Sequence, residues 1–305
     1  MLWIYRNTPK GFEDLSLAEM LSSGLTQVSK RFFTGTNFDL SQSAYASFTV
    51  REVSRGSSPE DAIINFKEEI PSPYRMEKIG GKRRAGSMSF ALLAEKHLGG
   101  DIRAAQPASI ILVFTPDKET WIAGFVTEKE NSVIDELKKI TERTCVSLTS
   151  QAALAMVNLV TDEPIVDPCC GTGLIPLASL LRKKNTYTAD NNYKMLRMAR
   201  INRDILNLDI EMAKKDAMMP WIKNGCLITD FPAERSWVSN TKDISMEIFK
   251  VWIPYIKSFC VIFPNKVLDQ LPENIEITGK INFTAERTIL LGTVNHQSDY
   301  SDSSD

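Results

Sequence analysis

The stretch IVDPCCGTGLIPLASLL, Ile165 to Leu181, puts Asp167 at the end of an apolar run, four residues before Gly171, with Gly173 two further on. Glycines in such a loop let the backbone turn tightly and approach a ligand closely. A helix opening near Leu174 would aim its free N–H groups at whatever binds there. This is the pattern of a nucleotide-type site at the carboxyl end of a strand. It departs from the dinucleotide fingerprint G-x-G-x-x-G, because Pro176 stands where the third glycine belongs, which argues against NAD or FAD. An aspartate ahead of the glycines suits a cationic ligand instead. Asp167 can pair, directly or through water, with the amino group of a bound amino acid, and S-adenosylmethionine carries such a group together with a sulfonium charge. Cys169, Thr172 and the two glycines belong to the same loop. The alternative reading of the glycines is a tight structural turn.

Three more acids follow at or near the ends of expected strands. Asp190 closes TYTAD, 17 residues past Gly173, with Asn191 next to it. A carboxylate there can accept both hydroxyls of a ribose, or it can cap the next helix. Asp216, in MAKKDAMMP, falls where a third strand would end and can accept from the N6 amine of an adenine, with Ala217 beside it and Met218 or Met219 against the ring. A loop aspartate with buried methionines is the alternative. Asp230 closes CLITD and is followed by Phe231, Pro232 and Ala233. A carboxylate next to a backbone carbonyl held rigid by proline can accept hydrogen bonds from an exocyclic amine and hold its lone pair toward a methyl donor, which is catalysis largely by positioning.

These acids need a scaffold. After residue 145, strand patterns at PIVDP, NTYTAD, CLITD and FCVIF recur with helical patterns between them, which predicts a mostly parallel sheet with crossover helices. A final strand pair is expected at IEITGKINFT and ERTILLGTV. The helices are SQAALAMVNLV ahead of the first strand, then LIPLASLLRK, NYKMLRMARINRDILNL and TKDISMEIFKVWIPYIKS. Lys194, Arg197, Arg200 and Arg203 recur every three residues and read as a solvated helix face. Before residue 145 the patterns predict a smaller α+β region. Its strands are LWIYRN, YASFTVREV and the pair SIILVF and TWIAGFVTE, and its helices are DLSLAEMLSSG and SPEDAIINFKEEI. The expected organisation is an α+β region over 1–140, an α/β domain over 145–294 and a disordered acidic tail over 295–305, with a boundary in KKITERTCVSLTSQ.

The 305 residues are 43% hydrophobic and 24% charged, with a formal net charge of -2. Binding of a polyanion would therefore need a local basic patch. Lys78, Lys82, Arg83 and Arg84, in YRMEKIGGKRRAG, supply one. Five cysteines without a C-x-x-C pair suggest reduced thiols, and two histidines outside any Cys/His cluster argue against zinc. Charge interrupts the apolar run of MLWIYRNTPKG, so it does not read as a signal peptide. No stretch approaches the ~18 apolar residues of a membrane helix. The expectation is a soluble cytoplasmic protein without a membrane partner.

Taken together, SLTSQAALAMVNLV, IVDPCCGTGLIPLAS, TADNNYKMLRMARIN and LITDFPAERS, in this order and spacing, resemble the methyltransferase domain of the THUMP-containing tRNA guanine-N2-methyltransferases. The resemblance covers residues 145 to 291. It implies a Rossmann-like class I methyltransferase sheet with an antiparallel final strand, S-adenosyl-L-methionine as cofactor, and methylation of the exocyclic N2 amine of a guanosine in tRNA, with Asp230 orienting the amine. It also implies a ferredoxin-like and THUMP-like N-terminal half that binds RNA, in which Lys78, Lys82, Arg83 and Arg84 contact phosphates.

The chain departs from the family in its fourth motif, which runs Asp or Asn, Pro, Pro, aromatic. Here the first proline is Phe231 and the aromatic is Ala233. The family's aromatic stacks on the target base, an interaction of ~1–3 kcal/mol that alanine cannot supply. Phe231 could turn to replace it, or Trp237 or Phe38 could. A catalytically inactive RNA-binding or partner subunit is the alternative function, and methylation of an adenine N6 or a protein amide is a second enzymatic one. The RNA, the nucleotide and the oligomeric state stay open.

Overall fold

The computed structural model describes residues 1–80, 87–99, 107–128, 132–232 and 244–296. Lys82, Arg83, Arg84, Ala233, Trp237 and the tail from residue 297 lie outside the described residues. The chain divides into two compact units. The first takes Met1–Thr8, Met20–Ser41 and Tyr45–Glu130, and the second takes Pro9–Glu19, Gln42–Ala44 and Asn131–Asp305.

The N-terminal elements are β1 (Leu2–Arg6), α1 (Glu13–Ser22), β2 (Thr26–Gln27), β3 (Phe32–Gly35), β4 (Ala46–Gly56), α2 (Pro59–Ile64), β5 (Tyr74–Ile79), α3 (Ser87–Leu98), β6 (Ser109–Phe114) and β7 (Trp121–Glu128). The sheet runs β2-β3-β1-β4-β7-β6-β5, antiparallel except for the β5–β6 pair. The basic stretch thus begins as an edge strand rather than a loop, and Lys78 lies on it with its ammonium 5.0 Å from the centre of the Trp121 ring. Helix α2 starts as the Ser-Pro signal predicts, with Ser58 accepting from the Asp61 N–H. It is shorter than SPEDAIINFKEEI suggests.

The second unit holds α4 (Val133–Lys138), α5 (Ser150–Asn158), β8 (Ile165–Asp167), α6 (Leu174–Leu181), β9 (Thr186–Asp190), α7 (Tyr193–Ile205), β10 (Met212–Lys214), β11 (Gly225–Asp230), α8 (Ile244–Trp252), β12 (Ile256–Pro264), β13 (Ile275–Thr284) and β14 (Arg287–Val294). The sheet order is β10-β9-β8-β11-β12-β14-β13. The first five strands are parallel, and β14 returns antiparallel to both β12 and β13. This is the expected α/β class with an antiparallel end. Strand β12 carries an unbroken apolar run from Phe259 to Pro264, all buried, as a strand inside such a sheet does. Chain order reverses direction between β8 and β11, and ligands of open α/β sheets bind in the crevice outside such a switch point.

The core also sets the loops that edge this crevice. Trp252, the last residue of α8, is fully buried and packs edge-on against Trp221 at 4.9 Å. Its indole N–H donates to the Ala217 carbonyl at 2.7 Å, which fixes the loop just after Asp216. A Trp252→Phe variant keeps most of the volume and orphans that carbonyl. We expect a loss of about 1–3 kcal/mol, read as a lower urea midpoint with unchanged far-ultraviolet circular dichroism. An unchanged midpoint would show that the hydrogen bond contributes nothing net.

Candidate active site

A cleft of about 980 Å³ opens at the carboxyl edge of the second sheet, and Asp167, Asp190, Asp216 and Asp230 all line it. They come from the ends of β8, β9 and β11 and from the loop after β10. Cys169, Gly171, Thr172, Asn191, Ala217 and Pro232 line it too. Gly173 stands behind the loop as the residue before α6. Its φ of 88° is left-handed, and a Cβ there would come within 3.2 Å of the Ala199 methyl on α7. Glycine at this position therefore serves both the left-handed turn and the close approach to α7.

Asp167 is 1% exposed. Its Oδ1 accepts from the Thr229 hydroxyl at 2.7 Å and from the Cys169 N–H at 3.1 Å. The first bond crosses the switch point from β8 to β11. Burial pushes this carboxyl up to about 8, and the nearby Asp190 and Asp230 add to the rise against the two donors. Asp190 holds the glycine loop closed, its Oδ2 accepting from the Gly171 N–H at 2.9 Å and its Oδ1 from the Asn192 N–H at 2.8 Å. Asn192, not Asp190, caps α7, accepting from the Lys194 N–H. Asp216 accepts from the Met218 N–H at 2.9 Å. Met218 lines the cleft and packs on the core, whereas Met219 is 71% exposed and lies outside the cleft lining. Thr172 is buried, its hydroxyl 3.2 Å from that of Ser147 in the segment leading into α5.

Asp230 is paired with one terminal nitrogen of Arg287 at the start of β14. The same nitrogen donates to the Phe231 carbonyl at 2.9 Å. Burial raises the Asp230 carboxyl above its usual range, and the guanidinium opposes that rise. The ring of Phe231 is not free to stack on a base. It is 1% exposed, stacked on Phe263 at 5.0 Å and edge-on to Phe249 at 6.3 Å. Turning it outward would open a hole in the core. What Phe231 presents to the site is its carbonyl.

Among the cleft residues that escaped the sequence reading are Arg287, Phe12 and Phe283. The two phenylalanines pack edge-on at 5.7 Å and both line the cleft, one from the segment before α1 and one from β13. No motif marks them, since a lone aromatic or arginine at a strand end is ordinary. Phe38 lies in the other unit, beside a separate cleft of about 650 Å³. Arg200 and Arg203, expected on a solvated face, donate instead to the carbonyls of Met212 and Ile210, clamping α7 to the β10 segment.

No described helix is long and apolar enough to cross a membrane. The sequence matches no protein-family model and no curated protein. Its fold has clear relatives among solved structures. TrmN from Thermus thermophilus superposes with a TM-score of 0.58 at 18% identity, over 96% of this chain and all of its own. SMU.472, a candidate methyltransferase complexed with SAH, gives 0.53 at 14% identity over 97% and 98% of the two chains. A predicted N6-adenine-specific DNA methylase from Listeria monocytogenes gives 0.50 at 12% identity over 95% of each. The chain therefore has a Rossmann-like methyltransferase fold preceded by a smaller α+β region.

Proposed function

We propose that this chain is an S-adenosylmethionine-dependent methyltransferase acting on an exocyclic amine of RNA, with guanine N2 in tRNA as the acceptor. The observation that carries this reading is the convergence of four acids on one cleft at the switch point of a methyltransferase fold. The residues fit the cofactor. A buried Asp167 flanked by two like charges is an electrostatic site for a cation. Asp190 keeps lone pairs beyond those used by the two backbone donors, enough for ribose hydroxyls. Asp216 and Met218 suit an adenine edge and face. When bound, S-adenosylmethionine supplies a methyl group on a sulfonium leaving group.

The chain's own work is positioning. Asp230 Oδ1 and the Phe231 carbonyl form a pair of acceptors that can take the two hydrogens of a target amine, leaving its lone pair free, and the carboxylate can take the proton released on transfer. The adenine N6 of the Listeria neighbour's name and guanine N2 are both exocyclic amines, and the same acceptor pair serves either. Guanine and tRNA come from the sequence resemblance, and Lys78 is the described member of the basic patch that would meet phosphate. The inactive RNA-binding reading is favoured by one observation, the pairing of Arg287 with both acceptors.

Incubation with methyl-labelled S-adenosylmethionine and unmodified tRNA should label guanine N2, and Asp230→Ala should cut transfer roughly 100-fold or more while calorimetry still detects the cofactor. Label absent from tRNA and ribosomal RNA alike, with cofactor bound, would rule out the enzymatic reading on these substrates.

Asp167 yields a second expectation. An unfolded aspartate titrates near 3.9, so between that pH and about 8 the folded protein holds a proton that the unfolded chain has released. Stability therefore falls as pH rises through this window and levels off above it. Asp167→Asn keeps Oδ1 as acceptor for Thr229 and Cys169 and removes the slope. It should melt above the parent at pH 8, with the gap narrowing toward pH 5, and should bind S-adenosylmethionine at least ~10-fold more weakly, since a tenfold loss corresponds to ~1.4 kcal/mol of a cation–carboxylate contact. Parallel melting profiles would show that Asp167 titrates normally.

A further inference from the structure

The two acceptors assigned to the target amine already have a donor. One terminal nitrogen of Arg287 donates to both Asp230 Oδ1 and the Phe231 carbonyl. That nitrogen is a planar amino group on a conjugated carbon, the same local chemistry as an exocyclic amine on a purine. Amine and guanidinium compete for one place. The guanidinium is not fully satisfied there, because its Nε is buried and has no partner among the described residues. An unpaired buried donor is costly, and the arginine holds the acceptor pair through one terminal nitrogen. It also sits next to open solvent, immediately after the exposed turn residues Ala285 and Glu286 that join β13 to β14. Anions are what draw a guanidinium from a carboxylate, and a phosphate matches its forked donors.

We propose that Arg287 gates the amine-acceptor pair, closed by Asp230 and the Phe231 carbonyl and opened by a backbone phosphate of the incoming polynucleotide. The gate makes Arg287 a specificity residue: an amine on a phosphate-bearing chain is admitted and a free nucleoside is not. This inference rests on the methyltransferase reading for the identity of the acceptor pair.

The test uses the full chain saturated with S-adenosylhomocysteine, as wild type, Arg287→Ala and Arg287→Met. Ligand-observed NMR measures guanosine binding, and titrations across a salt series measure binding of an unmodified tRNA transcript. Both variants should bind guanosine at least tenfold more tightly than wild type. The slope of log K against log salt should fall by about 0.7–0.9 in Arg287→Ala, the loss of one phosphate contact. Guanosine binding equal in all three proteins would overturn the gate, and an unchanged slope would overturn its opening by phosphate. If the alanine variant loses its circular dichroism, the methionine variant, which keeps most of the volume and brings no donor to Asp230, decides the matter. If wild type binds neither S-adenosylhomocysteine nor RNA, the methyltransferase reading falls, and the guanosine comparison repeated without cofactor still decides whether Arg287 blocks the pair.

Discussion

The second unit is organised around a buried carboxylate. Asp167 stands at the switch point with almost no access to water, and a charged group there is expensive unless donors meet it. Thr229 and Cys169 provide two, which ties the ends of β8 and β11 together and sets the start of the glycine loop. The neighbouring acids are held by the same device. Asp190 takes the Gly171 N–H at the far side of the loop, Asp216 takes the Met218 N–H, and Asp230 takes a guanidinium. Each carboxylate thus fixes a turn while keeping acceptor capacity toward the cleft. The cost is mutual repulsion at one sheet edge, which a cationic ligand would relieve.

The fourth acid differs from the others in its counter-charge. Asp167, Asp190 and Asp216 are met by neutral hydroxyl or backbone donors, whereas Asp230 is met by Arg287. Neutral donors leave these acids without a counter-charge, and Asp167 can answer a cationic ligand by giving up the proton that burial lets it keep. A guanidinium cancels the carboxylate's charge, and breaking a buried pair from one side leaves a bare charge behind. The Asp167, Asp190 and Asp216 side of the cleft therefore carries its acids on neutral donors, while the Asp230 side carries a cation of its own in Arg287. That asymmetry separates the two halves of the site.

Much of this was legible in the sequence because strand ends in a parallel sheet are punctuated. An apolar run that stops at an aspartate, followed by glycine or by a helix start, is visible without any tertiary information, so Asp167, Asp190, Asp216 and Asp230 could be placed on one sheet edge. The left-handed turn at Gly173 belongs to the same local code. What escaped was set by packing between distant segments. Strand β5 hid in a basic stretch because a sheet edge tolerates charge, its identity coming from pairing with β6. Helix α2 looked longer because its downstream residues keep helical spacing beyond Ile64. Arg287 and Phe283 reach the cleft only because β14 folds back antiparallel on β12, and Phe12 reaches it because its segment packs on the second unit.

The two departures in the fourth motif have different physical standing. A proline after the aspartate would stiffen the backbone through its ring and so aim its carbonyl. Phe231 reaches the same end by packing, since a side chain locked between Phe263 and Phe249 holds its own main chain in place. The aromatic ring that looked like a spare stacking surface is therefore the anchor of the carbonyl, and the substitution preserves the acceptor while spending the ring. Ala233 has no such compensation within its own motif. Among the described residues, Phe12 and Phe283 are the phenylalanines that line the cleft besides the anchored Phe231. Phe283 and Arg287 belong to one hairpin, so any displacement of the arginine from Asp230 is felt by the strand pair that carries Phe283 into the cleft.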